Sequence, residues 1–296
     1  MDVRQLRQFV QLAEALHFGR ASAAGNVSPS ALSRSIRQLE TEVGAMLFDR
    51  DNRSVTLTRQ GETFLAWARD VLTGWDVVRH TVQEQSGDLQ GEVSLYCSVT
   101  ASYSFLFEVL GRLRRDHPRI ELKLHTGDPE DAIARVMAGS EDIAIGARPD
   151  ALPAGIAFKP IARSRLVFIA PAGEPRLRDL AKRRPDPQQW AATPMILPES
   201  GLARQRADQW FRSLGIQPRI YAQVAGNQAI VSMVSVGFGV EVVPEIVLEA
   251  SPLAGEVALL RVTPVLAPYE VGLFTLEKKL RSPLIQVFWA PRLLVP

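Results

Sequence analysis

VSPSALSRSIRQLETEVG, residues Val27 to Gly44, carries two unlike faces if it is helical from Ser30. A rotation of about 100° per residue sends Leu32, Ile36, Leu39 and Val43 to one side and Ser30, Ser33, Arg34, Arg37 and Thr41 to the other. The first face is suited to burial. The second offers arginines and short hydroxyls, with no carboxylate before Glu40 and Glu42 at the far end. Such a face suits duplex DNA, because Arg makes bidentate bonds to guanine edges and hydroxyls reach bases or phosphates. An ordinary solvated face is the alternative for this stretch alone, and the flanking sequence decides between them.

Upstream, Asp2 with Gln5 fits a capping box, and Val3, Leu6, Phe9, Val10, Ala13 and Leu16 recur at helical spacing. GRASAAGNVS then permits a short helix, Arg20 to Ala24, stopped by Gly25 and Asn26. Ser28 and Pro29 supply the N-cap and first-turn proline of the next helix. The expected unit is a helix-turn-helix. Downstream, Leu47-Phe48 and Val55-Thr56-Leu57 can pair around the turn Asp51-Asn52-Arg53-Ser54, giving a wing with Arg50 and Arg53 near its tip. Arginines there are placed for the minor groove or phosphates.

Thr58 can cap a long helix running through GETFLAWARDVLTGWDVVRHTVQE. Phe64, Ala68, Val71, Trp75, Val78 and Val82 alternate spacings of four and three, the seam of a coiled coil. A partner helix is expected, and with it a dimer that reads two half-sites. Packing of these residues onto the chain's own domain is the alternative. The expected domains are 1–58 (winged helix-turn-helix), 59–87 (dimerising linker helix) and 88–296.

From Gly87 onward strands and helices alternate: VSLYCSV, a helix from Tyr103 to Asp116, IELKLHT, a helix in EDAIARVMAG, then DIAIGA. After GIAFKPIARS come RLVFIAP, MIL, a helix in LARQRADQWFRSLG, RIYAQV, a helix in QAIVSMVSVG and GVEVVP. YEVGLFTL and a terminal helix from PLIQVFW onward complete the chain. The expectation is an α/β region with mainly parallel sheets in two lobes, about 91–162 with 267–296, and 163–266. Ligands of such sheets sit beyond the carboxyl ends of strands. Three strand-to-helix junctions, Cys97 to Ser102, Pro198 to Gly201 and Ala225 to Gln228, can present unpaired N–H groups to an anion. Taken singly, each is an ordinary N-cap.

The chain has 296 residues, enough for two or three domains, and no apolar run near the roughly 18 residues of a membrane span. The amino-terminal residues show no secretory pattern, and the single cysteine, Cys97, allows no internal disulfide. A cytoplasmic protein is expected. A net charge of +2 means that any basic footprint is local. An enzyme is the rival from another class, with His125, Asp128, Glu130 and Asp131 as acid/base groups and Cys97 as nucleophile. Asp128 before Pro129 is more simply an N-cap, and Cys97 ends an apolar strand where thiols are usually inert. His17, His80, His117 and His125 show no ligand spacing, so no metal or cofactor is expected. An exported solute-binding protein fits neither the amino-terminal module nor the missing leader, and an oxidation sensor would lack a resolving thiol for Cys97.

FGRASAAGNVSPSALSRSIRQLETEVGAMLFDRDNRSVTLTRQG resembles the signature of LysR-type transcriptional regulators, and the resemblance extends over the whole chain. It implies a winged helix-turn-helix, a dimerising linker helix and a two-lobed α/β effector domain similar to type II periplasmic binding proteins. It further implies double-stranded DNA as partner at an interrupted palindrome, a homodimer or homotetramer, and RNA polymerase as an open further partner. Carried onto this chain, Ser30, Ser33, Arg34 and Arg37 become base and phosphate readers, with Arg50 and Arg53 on the wing. YCSVTASYS, KLHTGD and IYAQVAGNQAIVSMVSVGFGVEVVPEIVLEASP narrow the resemblance to IlvY-type activators. That group implies control of the acetohydroxy acid isomeroreductase gene and induction by 2-acetolactate or 2-aceto-2-hydroxybutyrate. Ser98, Val99, Thr100 and Ala101 are carried over as effector contacts by motif; Ser200 and Asn227 are added from the junctions.

Overall fold

The computed structural model describes residues 1–50, 54–85, 89–102, 106–175, 177, 180 and 186–289. The chain separates into two units, Met1–Gly87 and Asp88–Pro296.

In the first unit, helix α1 (Val3–Ala15) starts at the Asp2–Gln5 capping box and ends on Leu16 in the left-handed conformation. α2 (Phe18–Ala24) is capped by His17 Nδ1, which accepts from the Arg20 amide, and α3 (Pro29–Val43) by Ser28, which accepts from the Ala31 amide. Strands β1 (Phe48–Arg50) and β2 (Val55–Leu57) form an antiparallel ladder pairing Phe48 with Leu57 and Arg50 with Val55. α4 (Arg59–Gln85) follows, with the Thr58 hydroxyl accepting from Gly61 N–H at 2.9 Å. A Cβ at Gly61 would overlap the Leu47 carbonyl, so glycine there permits the close approach of α4 to the chain entering the wing.

The core of this unit joins Leu6, Phe9 and Leu12 of α1 to Leu32, Ile36 and Leu39 of α3, with Leu47, Phe48 and Ala68. Phe9 packs against Phe48 at 5.3 Å and edge-on against Phe64 at 4.9 Å between ring centres. Each buried side chain of this size contributes about 1.5–3 kcal/mol. Val43 departs from its expected place and is exposed. Glu40, one turn after Ile36, occupies the inner face instead, for the reason given below.

In the second unit, β3 (Gly91–Cys97) leads into a short turn of helix, α5 (Val99–Ala101), and then α6 (Phe107–Asp116). The helix expected from Tyr103 is described from Phe107; residues 103–105 lie outside the described residues. β4 (Ile120–Thr126), α7 (Ala132–Met137), β5 (Ile143–Ala147) and β6 (Ile156–Ser164) come next. β7 (Leu166–Pro171), α8 (Pro187–Ala192), β8 (Pro194–Pro198), α9 (Gly201–Ser213), β9 (Arg219–Val224) and α10 (Asn227–Ser235) continue the alternation. β10 (Glu241–Pro244), α11 (Glu245–Glu249), β11 (Val257–Leu260), β12 (Tyr269–Leu276) and α12 (Pro283–Trp289) complete it.

Among the described residues, one sheet has the order β4-β3-β5-β12-β6 and another the order β10-β7-β11, while β8 pairs with β9. The sheets are mixed rather than mainly parallel. β3 is parallel to β4 and β5, but β12 returns antiparallel between β5 and β6, and β7 is antiparallel to both its neighbours. Strand β6 was hidden in the sequence by Pro160. As an edge strand it tolerates a residue without N–H, and the ladder slips there, Val271 facing Ala162 and Gly272 facing Pro160. The other lobe is packed around Phe168, whose ring lies 4.9 Å from Trp190 and 4.8 Å from Trp210.

Candidate nucleic-acid interface and effector cleft

The outer face of α3 is open. Ser30, Arg34 and Arg37 are exposed and Ser33 is half-buried, so the four side chains stand on the side away from Leu32, Ile36 and Leu39. Ser30 Oγ lies 3.1 Å from the capping Ser28 Oγ, which ties the first turn to its cap. A positive helix face with its arginines free to turn outward is chemically fit for phosphates and base edges.

The wing departs from expectation at Arg50. Its guanidinium donates to Glu40 at 2.6 Å and lies 5.4 Å over the Phe18 ring, leaving its side chain only 21% exposed. Glu40 Oε1 also accepts from the amides of Leu47 and Phe48, at 3.0 and 3.2 Å. Arg50 therefore fastens the wing to α3 rather than pointing outward as a reader, and Glu40 is the functional residue that helical phase alone should have flagged as inward-facing. Arg53 lies outside the described residues.

The seam of α4 divides in two. Phe64, Ala68 and Val71 pack against the core of their own unit, as the alternative had allowed. Further along, Trp75, Val78 and Val82 are 49, 57 and 59% exposed, with Trp67 at 42% on the same side of the helix. An apolar stripe of that length is characteristic of an interaction surface.

In the second unit, Ser98 caps α5 by accepting from Ala101 N–H at 3.1 Å, so its hydroxyl oxygen is already engaged. Val99 is exposed, Ala101 is buried, and Thr100 is the middle residue of that helical turn. Ser200 is the N-cap residue of α9 but makes no capping bond through its side chain, and it stands exposed. Asn227 opens α10 immediately after Gly226. A cleft of about 390 Å³, its open mouth included, brings Ser200 together with Gly226, and Asp128, Glu130 and Glu199 line it too. Among the described residues, Ser98, Val99 and Ala101 do not line this cleft.

The acidic rim was missed in the sequence, where Glu130 was weighed only as part of a catalytic group. Burial raises the Glu130 pKa, Asp128 adds to the rise, and the Leu202 backbone N–H, hydrogen-bonded to it, opposes it. No local signal in the sequence pairs the acidic turn Asp128-Pro129-Glu130 with Gly201, which lies at the start of a distant helix.

The residues of the catalytic alternative are occupied structurally. Asp128 caps its turn by accepting from Glu130 N–H at 3.0 Å, and His125 Nδ1 lies 2.8 Å from Glu141. Cys97 is fully buried, and burial pushes its thiol up to about 11, which disfavours the thiolate. Among the described residues no group of three or more His, Cys, Asp or Glu side chains could hold a metal ion, and no helix is long and apolar enough to cross a membrane.

Residues 3–62 match the bacterial regulatory helix-turn-helix protein, lysR family, and residues 86–290 the LysR substrate binding domain. The chain is 43% identical to the HTH-type transcriptional regulator IlvY of Escherichia coli over 98% of each protein. Identity to the HTH-type transcriptional activator IlvY of Salmonella typhimurium is also 43%, again over 98% of each. Among solved structures, full-length OxyR of Pseudomonas aeruginosa in a variant form is 25% identical, covers 97% of this chain and 93% of its own, and superposes with a TM-score of 0.74. The fold is thus an amino-terminal winged helix-turn-helix followed by a two-lobed α/β effector domain, and this chain belongs to the LysR family of DNA-binding bacterial transcriptional regulators.

Proposed function

We propose that this regulator activates branched-chain amino-acid biosynthesis at the acetohydroxy acid isomeroreductase gene, with 2-acetolactate or 2-aceto-2-hydroxybutyrate as effector. The observation that carries this is the 43% identity to IlvY activators over nearly the whole of both chains, DNA module and effector region alike. Residues 1–58 bind DNA, 59–87 dimerise and 88–296 bind the effector. Ser30, Ser33, Arg34 and Arg37 read the operator, and Arg53 belongs with them on the wing.

The exposed stripe of Trp67, Trp75, Val78 and Val82 takes the same stripe of a second copy, so that two recognition helices meet two half-sites. Two such dimers make the tetramer. The effector is a small carboxylate bearing a tertiary hydroxyl and a ketone. Helix-start N–H groups of α9 and α10, the Ser200 hydroxyl, which makes no capping bond, and Asn227 supply complementary chemistry, and the turn from Ser98 to Ala101 after β3, whose Ala101 N–H is held by Ser98, adds its remaining N–H groups. Effector binding acts by its different affinity for two arrangements of the lobes, which changes the spacing of DNA modules and their contact with RNA polymerase.

The test is a footprint of the purified full-length protein on the region upstream of its own gene, with and without 2-acetolactate. Protection of an interrupted palindrome that changes on adding 2-acetolactate is the expected result. Protection indifferent to 2-acetolactate removes this effector and leaves the DNA-binding regulator.

A further inference from the structure

We infer that the Glu130 carboxylate is a resident occupant of the anion site at the start of α9, and that an effector carboxylate binds there by displacing it. This inference rests on the proposal above only for the chemical class of the effector.

Gly201 is the first residue of α9 and has φ +90°, a conformation that favours glycine. A Cβ built on it would overlap the Glu130 carboxylate, which sits over the backbone where any other residue would carry a side chain. The Leu202 N–H, one of the unpaired donors of the first helical turn, donates to that carboxylate. A negative group at this end of a 13-residue helix is favoured by the helix dipole as well. Ser200 leaves its capping role unfilled, and Glu130 fills it from another element.

That element belongs to the opposite lobe. Glu130 lies in the turn after β4, and the Tyr96 hydroxyl of β3 fixes the same turn by donating to the Asp128 carbonyl at 2.8 Å. Glu130 therefore ties the β4-β3 edge of one sheet to the helix that follows β8. An effector carboxylate competes with Glu130 for the same donors, and two ionised carboxylates side by side here are disfavoured because Asp128 and Glu199 already line the cleft. Entry of an effector carboxylate displaces the Glu130 side chain, while the turn itself stays held by the Tyr96 hydroxyl. One exchange of carboxylates thus removes one tie between the lobes, while the Arg206–Asp150 ion pair remains another, and neutral analogues of the effector lack the charge to drive the exchange.

The experiment compares full-length wild type, Glu130→Ala and Glu130→Gln by amide hydrogen exchange in the segment 199–206, first alone, then with acetate as a bare carboxylate probe. Exchange at Leu202 is expected to be roughly fivefold faster in Glu130→Ala, with Glu130→Gln between, and acetate is expected to restore slow exchange in Glu130→Ala. In parallel, the 2-acetolactate concentration giving half response is expected to fall roughly fivefold in Glu130→Ala. Unchanged exchange at Leu202, or no protection by acetate, overturns the inference. So does weaker 2-acetolactate binding in both variants, which would make Glu130 an effector contact. If wild type ignores 2-acetolactate while acetate still protects Glu130→Ala, the effector named above fails and the resident occupant stands.

Discussion

Glu40 on α3 and Arg50 on the wing are joined at 2.6 Å, and the same carboxylate accepts from the amides of Leu47 and Phe48. Three donors from the wing thus converge on one side chain of the recognition helix. Removing that side chain leaves two buried amides and a half-buried guanidinium without an acceptor. Glu40→Ala is expected to destabilise the first unit by about 2–3 kcal/mol, and Glu40→Gln by less because its carbonyl still accepts. Urea unfolding followed by the tryptophan fluorescence of α4 measures it, and equal losses in the two variants would refute the role of the carboxylate.

Arg34 and Arg37 make a contrasting pair with Arg50. Both are exposed on the outer face of α3, so Arg34→Ala and Arg37→Ala should leave the unfolding midpoint within about 0.5 kcal/mol of wild type. Each should weaken operator binding by about 1–3 kcal/mol, and whichever meets a phosphate should also lower the salt slope by about one. Arg50→Ala should do the reverse, costing stability first and DNA affinity as a consequence. Titrations at two salt concentrations with operator and unrelated DNA separate these outcomes; an arginine whose removal changes neither affinity nor slope is no reader.

Much of this was legible in the residues, and what escaped did so for identifiable reasons. Caps such as Asp2, Ser28 and Thr58 are local in sequence, Ile120–Thr126 alternates apolar with polar residues and Ile143–Ala147 is an apolar run, so each could be read in place. Glu40 was misjudged because charge suggested the surface while helical phase put it one turn from Ile36. Glu130 could not be placed, since its partner Gly201 lies 71 residues away in sequence on the far side of a cleft. The seam of α4 looked uniform because periodicity does not reveal where a helix leaves its own domain: Phe64 packs on Phe9, while Val78 is exposed.

That division of α4 gives a test with opposite signs along one helix. Val78→Glu places a charge in the exposed stripe and should split the proposed dimer while leaving the unfolding of the first unit unchanged at protein concentrations where wild type is monomeric. Phe64→Ala removes an edge-on ring contact at 4.9 Å and should cost about 3–5 kcal/mol in that unit whatever the oligomeric state. Sedimentation velocity and urea unfolding read the two effects. A Val78→Glu protein of unchanged size would remove the stripe as the dimer surface.

Glu241 carries a different kind of strain in the lobe built around Phe168. It is 0% exposed, neither carboxyl oxygen has a hydrogen-bond partner among the described residues, and burial raises its pKa well above the ordinary value against the weaker opposing pull of the Val242 amide and Arg204. An unfolded Glu titrates near ~4.3. Below that pH both states are protonated and the group exerts no pH-dependent effect. Above it the unfolded chain ionises first, so stability is lost as pH rises toward the folded pKa. Glu241→Met removes the titration and keeps a similar linear shape, so it should stabilise the second unit by about 1–3 kcal/mol at pH 7. The gain should shrink as the pH is lowered toward 4.5. Urea unfolding at both pH values provides the comparison, and a gain independent of pH would mean that the Glu241 pKa is not raised in the folded protein.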